Sequence, residues 1–263
     1  MTPIFTCNFK SHWRVCLNES VEPNSCEPPP ASLPAPAQID CAGWSARRVL
    51  RWAYRQYEDE IAIASAFGVE GIVLIDMAAQ VRPHPRVFVL DTSFLFPETY
   101  RLIEQVESRY GITVQRVLPA LSPAEQSGLY GDELWSRDPD LCCQLRKVEP
   151  LQRQLAQLRA WVTSIRRDQT QDRAQTRKVA WDPRFGVMKI NPLADWSSER
   201  VWRYIHRRKL PYNPLLVQNY PSLGCVQCTR PVKPGEDPRA GRWPGFAKTE
   251  CGLHAPRPDL PLR

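Results

Sequence analysis

The sequence predicts an α/β fold, a parallel β-sheet with helices on both faces. Two observations carry this. Short apolar runs of strand length alternate with longer segments of helical periodicity, starting with Ile61-Ala62-Ile63-Ala64 and the helix after it. The early strands also close on polar or glycine-bearing turns, Ser65-Ala66-Phe67-Gly68 and then Asp91-Thr92-Ser93, as strands that feed crossover helices do. The 263 residues suffice for one large domain or two small ones, and 43% hydrophobic residues supply a core.

Taken in order, residues 1–40 read as a disordered leader. Pro28-Pro29-Pro30, Pro34 and Pro36 sustain neither helix nor ladder, and Cys7, Cys16, Cys26 and Cys41, in it or at its edge, lack metal-type spacing. The main domain spans 43–245. Val49, Leu50, Ala53, Tyr54 and Tyr57 recur at helical spacing, and after the first strand a helix uses Val73, Leu74, Met77 and Ala78. Val87-Phe88-Val89-Leu90 is a strand, Pro97 opens a helix to Tyr110, and Ile112 to Leu118 alternates as a strand. The next helix carries Cys142 and Cys143 at its start and runs through Val148, Leu151, Leu155 and Leu158. Trp161 to Ile165 is a strand, 170–178 a polar loop and Val187 to Ile190 a short strand. Ser197 caps a helix built on Val201, Trp202 and Ile205. From Pro211 the chain is loop-rich. Residues 246–263, without periodicity, read as a mobile tail.

The net charge of +7 favours an anionic ligand, but the arginines form no basic run, so a nucleic-acid stripe is not expected. No apolar stretch approaches the roughly 20 residues of a membrane helix, and the N-terminus lacks a secretory pattern. Nine cysteines, an odd number that includes an adjacent pair, point to a reducing cytoplasm and to metal and redox chemistry.

Four groups of residues carry chemistry. The turn Ser65-Ala66-Phe67-Gly68 lies at a strand's C-terminal end, where a helix N-terminus offers free N–H groups to an anion; Asp91 and Thr92 end a second strand at the same edge, where ribose or adenine would be gripped. Cys142-Cys143 with Cys225-x-x-Cys228 makes four thiolates in two pairs, a donor set for an iron–sulfur cluster or zinc. Helical neighbours point about 100° apart, so an adjacent pair reaches a 4Fe–4S cluster more easily than one small ion. Basic groups, namely Arg146, Lys147, Arg166, Arg167, Arg173, Arg239 and Arg242, can bind phosphate or sulfate, with Lys147 one turn past Cys143. Finally, the tail Lys248-Thr249-Glu250-Cys251-Gly252-Leu253-His254 presents one thiol beside a flexible glycine, with His254 able to lower its pKa or hold its proton.

These stretches, with Phe96-Pro97-Glu98-Thr99-Tyr100, Arg146-Lys147-Val148, Arg166-Arg167-Asp168-Gln169 and Pro192-Leu193-x-Asp195-Trp196, resemble the assimilatory sulfonucleotide reductases over about residues 43–255. The resemblance implies an adenine-nucleotide α-hydrolase-like fold and thioredoxin- or glutaredoxin-dependent reduction of adenosine 5′-phosphosulfate to sulfite and AMP, through a thiosulfonate on Cys251. It also implies a 4Fe–4S cluster on Cys142, Cys143, Cys225 and Cys228. Substrate contacts are expected from Ser65, Phe67, Gly68, Asp91, Thr92, Arg146, Lys147, Arg166, Arg167, Arg239 and Arg242. Phe67-Gly68 and the Phe96–Tyr100 run look more like the cluster-free branch, which takes the 3′-phosphorylated substrate; that substrate, and a zinc-stabilised nucleotide-binding module without catalysis, are the alternatives. A homo-oligomer is left open.

Overall fold

The computed structural model describes residues 39–248 and 250–254. The expected leader lies outside the described residues except for its last two positions, and so do Thr249 and 255–263. In chain order the elements are α1 (Ala46–Tyr57), β1 (Ile61–Ala64), α2 (Val69–Val81), β2 (Val87–Leu90), α3 (Pro97–Tyr110) and β3 (Val114–Val117), then α4 (Pro123–Tyr130), α5 (Leu134–Arg137), α6 (Pro139–Cys143) and α7 (Glu149–Leu155), and finally β4 (Ala160–Val162), β5 (Val179–Asp182), β6 (Val187–Ile190) and α8 (Ser198–Arg208).

Among the described residues six strands form one sheet in the order β3-β2-β1-β4-β6-β5. Every pairing is parallel except β5 with β6. The period-two alternation of β1 sorts its side chains onto two cores. Ile61 and Ile63 join Leu50, Ile72, Leu102 and Ile205 from α1, α2, α3 and α8. Ala62 joins Phe88, Leu151, Leu155 and Trp161 on the face that α7 covers. Helices on both faces follow from strands that are apolar on both sides. Ile39, inside the expected leader, packs on the first core, and Cys41 is buried.

Three local features differ from the sequence expectation. First, the stretch after the polar loop holds β5, an antiparallel edge strand joined to β6 through Pro183-Arg184-Phe185-Gly186; Gly186 takes φ 64° and its N–H returns to the Asp182 carbonyl at 2.9 Å. Second, α4 is an extra helix, opened by a reciprocal Ser122–Glu125 capping box. Third, the cysteine pair ends the short α6 instead of starting a long helix, and a wider π-helical turn, Gln144–Val148, separates it from α7. Pro150 explains the widening: it has no N–H for the Arg146 carbonyl, and its ring crowds that carbonyl in a regular helix. Among the described residues no helix is long and apolar enough to cross a membrane.

Candidate active site

The C-terminal edge of the parallel strands gathers most of the expected residues. After β1, the Ser65 hydroxyl accepts the Phe67 N–H at 3.1 Å and fixes a tight turn. Phe67 is buried at φ 58°, a left-handed conformation that costs a non-glycine residue about 1–2 kcal/mol. Gly68 then caps α2 without a side-chain bond, so the first N–H groups of the helix face the strand end. Gly71, not singled out from the sequence, makes this approach possible, because a Cβ there would stand 2.4 Å from the Ser65 hydroxyl oxygen.

After β2, Asp91 and Thr92 bind their own surroundings. Asp91 Oδ1 accepts from the Ser93 N–H at 3.0 Å and the Tyr100 hydroxyl at 2.7 Å. The Thr92 hydroxyl lies 3.3 Å from Cys225 Sγ, and its carbonyl accepts Arg146 Nη1 at 3.0 Å. Thr92 is thus engaged with the cysteines, whereas the sequence suggested a nucleotide contact. The same loop fastens the Cys225 segment through a Val226 N–H to Phe94 carbonyl bond of 2.8 Å.

Cys142, Cys143, Cys225 and Cys228 are all buried and line one small cavity with Phe94, Trp135, Arg146 and Lys147. Among the described residues no group of three or more His, Cys, Asp or Glu side chains is placed to hold a single metal ion. Burial, with the charges of Cys143 and Cys225 next, pushes the Cys142 thiol up to about 11; burial and Cys225 push Cys228 up to about 12. Arg146 lies over the Phe94 ring at 4.5 Å, and among the described residues its Nε and Nη2 have no hydrogen-bond partner and the buried Trp243 indole N–H has no acceptor. Buried thiols on a shared space beside orphaned donors fit a group that brings iron and acceptor atoms.

Lys147 is buried between the thiols. Desolvation opposes its charge, but Cys225, Cys143 and Cys251 outweigh it and hold its pKa above the ordinary value. Arg242 lies 4.5 Å over Trp243 and donates to the Leu223 carbonyl at 2.9 Å, bracing the loop ahead of Cys225. Arg166 is occupied by Glu70 at 2.7 Å and Asp168 at 2.8 Å, which ties the β4 end to α2. Arg167 is exposed and donates to the Thr176 carbonyl, so it is not gathered with the others.

The described tail segment is docked on this edge. Glu250 accepts a hydrogen bond from Arg173 Nη2 at 2.8 Å and lies in ion-pair contact with Arg173 Nε at 2.8 Å and Arg239 Nη2 at 3.6 Å. Lys248 pairs with Asp140 at the start of α6. Cys251 packs against the cluster of Cys143, Cys225, Cys228 and Trp243. Leu253 rests on the second core, and His254 stacks on Trp161, centroids 5.7 Å apart. Enclosure of the imidazole, and then Lys189, Arg173, Arg184 and Arg239, push its pKa well below the usual range. A neutral His254 offers Cys251 no positive charge; Lys147 and Arg239 are cations that interact with that thiol. Trp161, Arg184, Lys189 and Trp243 were missed in the sequence. They are side chains of ordinary strands and loops, and only tertiary packing turns them toward the tail.

Fold and site together define a nucleotide-binding α/β protein with a thiol centre at the strand ends. The profile of the phosphoadenosine phosphosulfate reductase domain matches residues 60–231. An adenosine 5′-phosphosulfate reductase of Halalkalibacterium halodurans is 54% identical over 207 residues, covering 78% of this chain and 90% of the relative. A phosphoadenosine 5′-phosphosulfate reductase of Gloeobacter violaceus is 50% identical over 210 residues, 79% of this chain and 87% of the relative. The crystal structure of a phosphoadenylyl-sulfate reductase from Candida auris, a phosphate complex, superposes with TM-score 0.63 at 31% identity, over 73% of this chain and 93% of that one. Candida glabrata FMN adenylyltransferase, at 15% identity and TM-score 0.52 over 71% of this chain and 62% of its own, shares the fold alone. This chain belongs to the sulfonucleotide reductase family.

Proposed function

We propose that this chain reduces adenosine 5′-phosphosulfate to sulfite and AMP in sulfate assimilation. The observation that carries the reading is the docked tail, with Cys251 held beside Lys147 and Cys143 at the strand ends where nucleotides bind. The Halalkalibacterium relative, named for this reaction, supports it.

The nucleotide lies along the Ser65–Gly68 turn, whose open helix N-terminus suits a phosphate. Arg239 and Lys147 offset the charge of the phosphosulfate, which otherwise repels an attacking thiolate. Arg146 and Arg242 hold the loops that frame the site, through Thr92 and Leu223. The Cys251 thiolate attacks sulfur and forms an S–S bond; the sulfur–oxygen bond to the phosphate breaks, and AMP leaves with that electron pair. A thioredoxin- or glutaredoxin-like dithiol then attacks Cys251 Sγ and expels sulfite, and its second thiol resolves the mixed disulfide, so the two electrons come from the dithiol.

Cys142, Cys143, Cys225 and Cys228 would hold a 4Fe–4S cluster. Such a group, when bound, keeps the four sulfurs as thiolates and sets negative charge opposite Lys147. Zinc is the alternative occupant of the same four thiols. The net charge of +7 and the odd cysteine count favour a cytoplasmic enzyme with an anionic substrate.

The 3′-phosphorylated substrate is the second reading, favoured by the name of the Gloeobacter relative and by Phe67 in the turn. Initial rates of sulfite release from each sulfonucleotide, with reduced thioredoxin, decide between them. The expected outcome is a kcat/KM at least tenfold higher for adenosine 5′-phosphosulfate; equal or reversed values overturn the assignment.

A further inference from the structure

We infer that Arg184, on the β5–β6 turn, is a positioning residue that clasps the C-terminal segment and so fixes where the Cys251 thiol stands. The role in the reaction rests on the function proposed above; the clasp itself does not.

The guanidinium donates from Nη1 to the Gly252 carbonyl at 2.9 Å and from Nη2 to the Leu253 carbonyl at 2.8 Å. One fork spans the carbonyls of the two residues that follow Cys251. The segment from Glu250 to His254 belongs to no strand, so these donors do what a neighbouring strand would otherwise do. Main-chain carbonyls set a register that the side chains of the tail alone do not. Asp182 orients the fork, with Oδ1 3.5 Å from Arg184 Nε.

The rest of the hairpin works in the same direction. Phe185 meets Trp161 edge-on at 6.1 Å, and Trp161 carries the His254 ring on its face. An antiparallel strand added to an otherwise parallel sheet thus supplies the dock on which the tail rests. The Arg184 side chain is 27% exposed, so water can replace the carbonyls and the clasp can release. A tail that must first present its thiol to substrate and then to a protein dithiol needs a grip of this reversible kind. The clasp therefore acts on the attack by Cys251 and leaves nucleotide affinity alone.

The test uses anaerobically purified full-length protein, wild type, Arg184→Ala and Arg184→Lys. Three quantities are measured: the rate of Cys251 alkylation by iodoacetamide, resolved by peptide mass spectrometry; the AMP dissociation constant; and the single-turnover rate of sulfonate transfer to Cys251. In Arg184→Ala, alkylation accelerates about tenfold, sulfonate transfer slows about tenfold, and AMP affinity stays within about twofold, tenfold being about 1.4 kcal/mol of docking. Arg184→Lys, whose ammonium serves the carbonyls less well, shifts both rates about threefold. Alkylation within twofold of wild type in Arg184→Ala overturns the clasp, and so does a loss of AMP affinity as large as the loss of rate. Should Arg184→Ala not fold, Arg184→Lys decides on the same readouts, with no change counting against the clasp. Alkylation and AMP binding need no turnover, so a wild type that forms no sulfonate adduct defeats the proposed function and leaves the clasp to those two measurements.

Discussion

Replacing Glu250 by Gln tests how firmly the tail is anchored. The Glu250 side chain is 6% exposed and makes two 2.8 Å contacts to Arg173, whose side chain is 11% exposed. Deleting one partner of a buried pair costs about 3–5 kcal/mol when the other stays buried. Here Arg173 regains water once the tail lifts, and glutamine keeps one acceptor, so about 2 kcal/mol of docking energy is lost. That corresponds to a shift of about thirtyfold toward the undocked tail. Site-resolved alkylation of Cys251 reads the shift directly and is expected to accelerate by about that factor. The melting temperature should move by less than about 3 °C, because neither core cluster contains Glu250. Alkylation within threefold of wild type, or a melting temperature lower by more than about 5 °C, would refute the reasoning: in the first case the ion pair does not hold the tail, and in the second it holds the sheet.

Three further expectations follow from other parts of the molecule. Burial pushes Lys189 down to about 8 despite Asp182, so its ammonium should lose its proton as pH rises through about 8; the side-chain carbon shifts of lysine-labelled protein follow this titration, and a midpoint above about 10 would speak against it. Asp76, 2% exposed, accepts from the hydroxyls of Tyr204 at 2.7 Å and Tyr110 at 3.0 Å; Asp76→Ala strands both and should cost about 3 kcal/mol in urea unfolding, with a loss under about 1 kcal/mol speaking against the network. Cys228→Ser should lower iron content severalfold in anaerobically purified protein and bleach its visible absorption, whereas full iron with unchanged absorption would remove Cys228 from the ligand set.

Much of the sheet was legible because parallel strands buried on both faces must be apolar throughout, and Ile61–Ala64 and Val87–Leu90 are. β5 was not legible: Val179-Ala180-Trp181-Asp182 is short, follows a polar stretch and runs into Pro183, and it is a strand only because β6 offers an edge. Val187–Ile190 preceded by Pro183-Arg184-Phe185-Gly186 was the available hairpin signal. The break at the cysteine pair was also present in the sequence, in Pro150, but the helical spacing of Leu151, Leu155 and Leu158 masked it. Cys142, Cys143, Cys225 and Cys228 were legible as one group because residue type and spacing alone suggest it, and their side chains share a cavity. The basic residues were less legible. Composition does not distinguish Arg166, consumed by Glu70 and Asp168, from Arg173, which grips Glu250; the difference lies in the partners that the fold supplies.

The most direct test of a thiosulfonate on Cys251 is the chemistry of that thiol in the absence of any reductant. Anaerobic protein mixed with one equivalent of adenosine 5′-phosphosulfate is quenched, digested and examined by mass spectrometry, with AMP measured in parallel. Stoichiometric AMP and a sulfonate adduct on the peptide that contains Cys251 are expected, the adduct being lost on adding reduced thioredoxin as sulfite appears. AMP release without an adduct there, or an adduct that persists in Cys251→Ser protein, would contradict it.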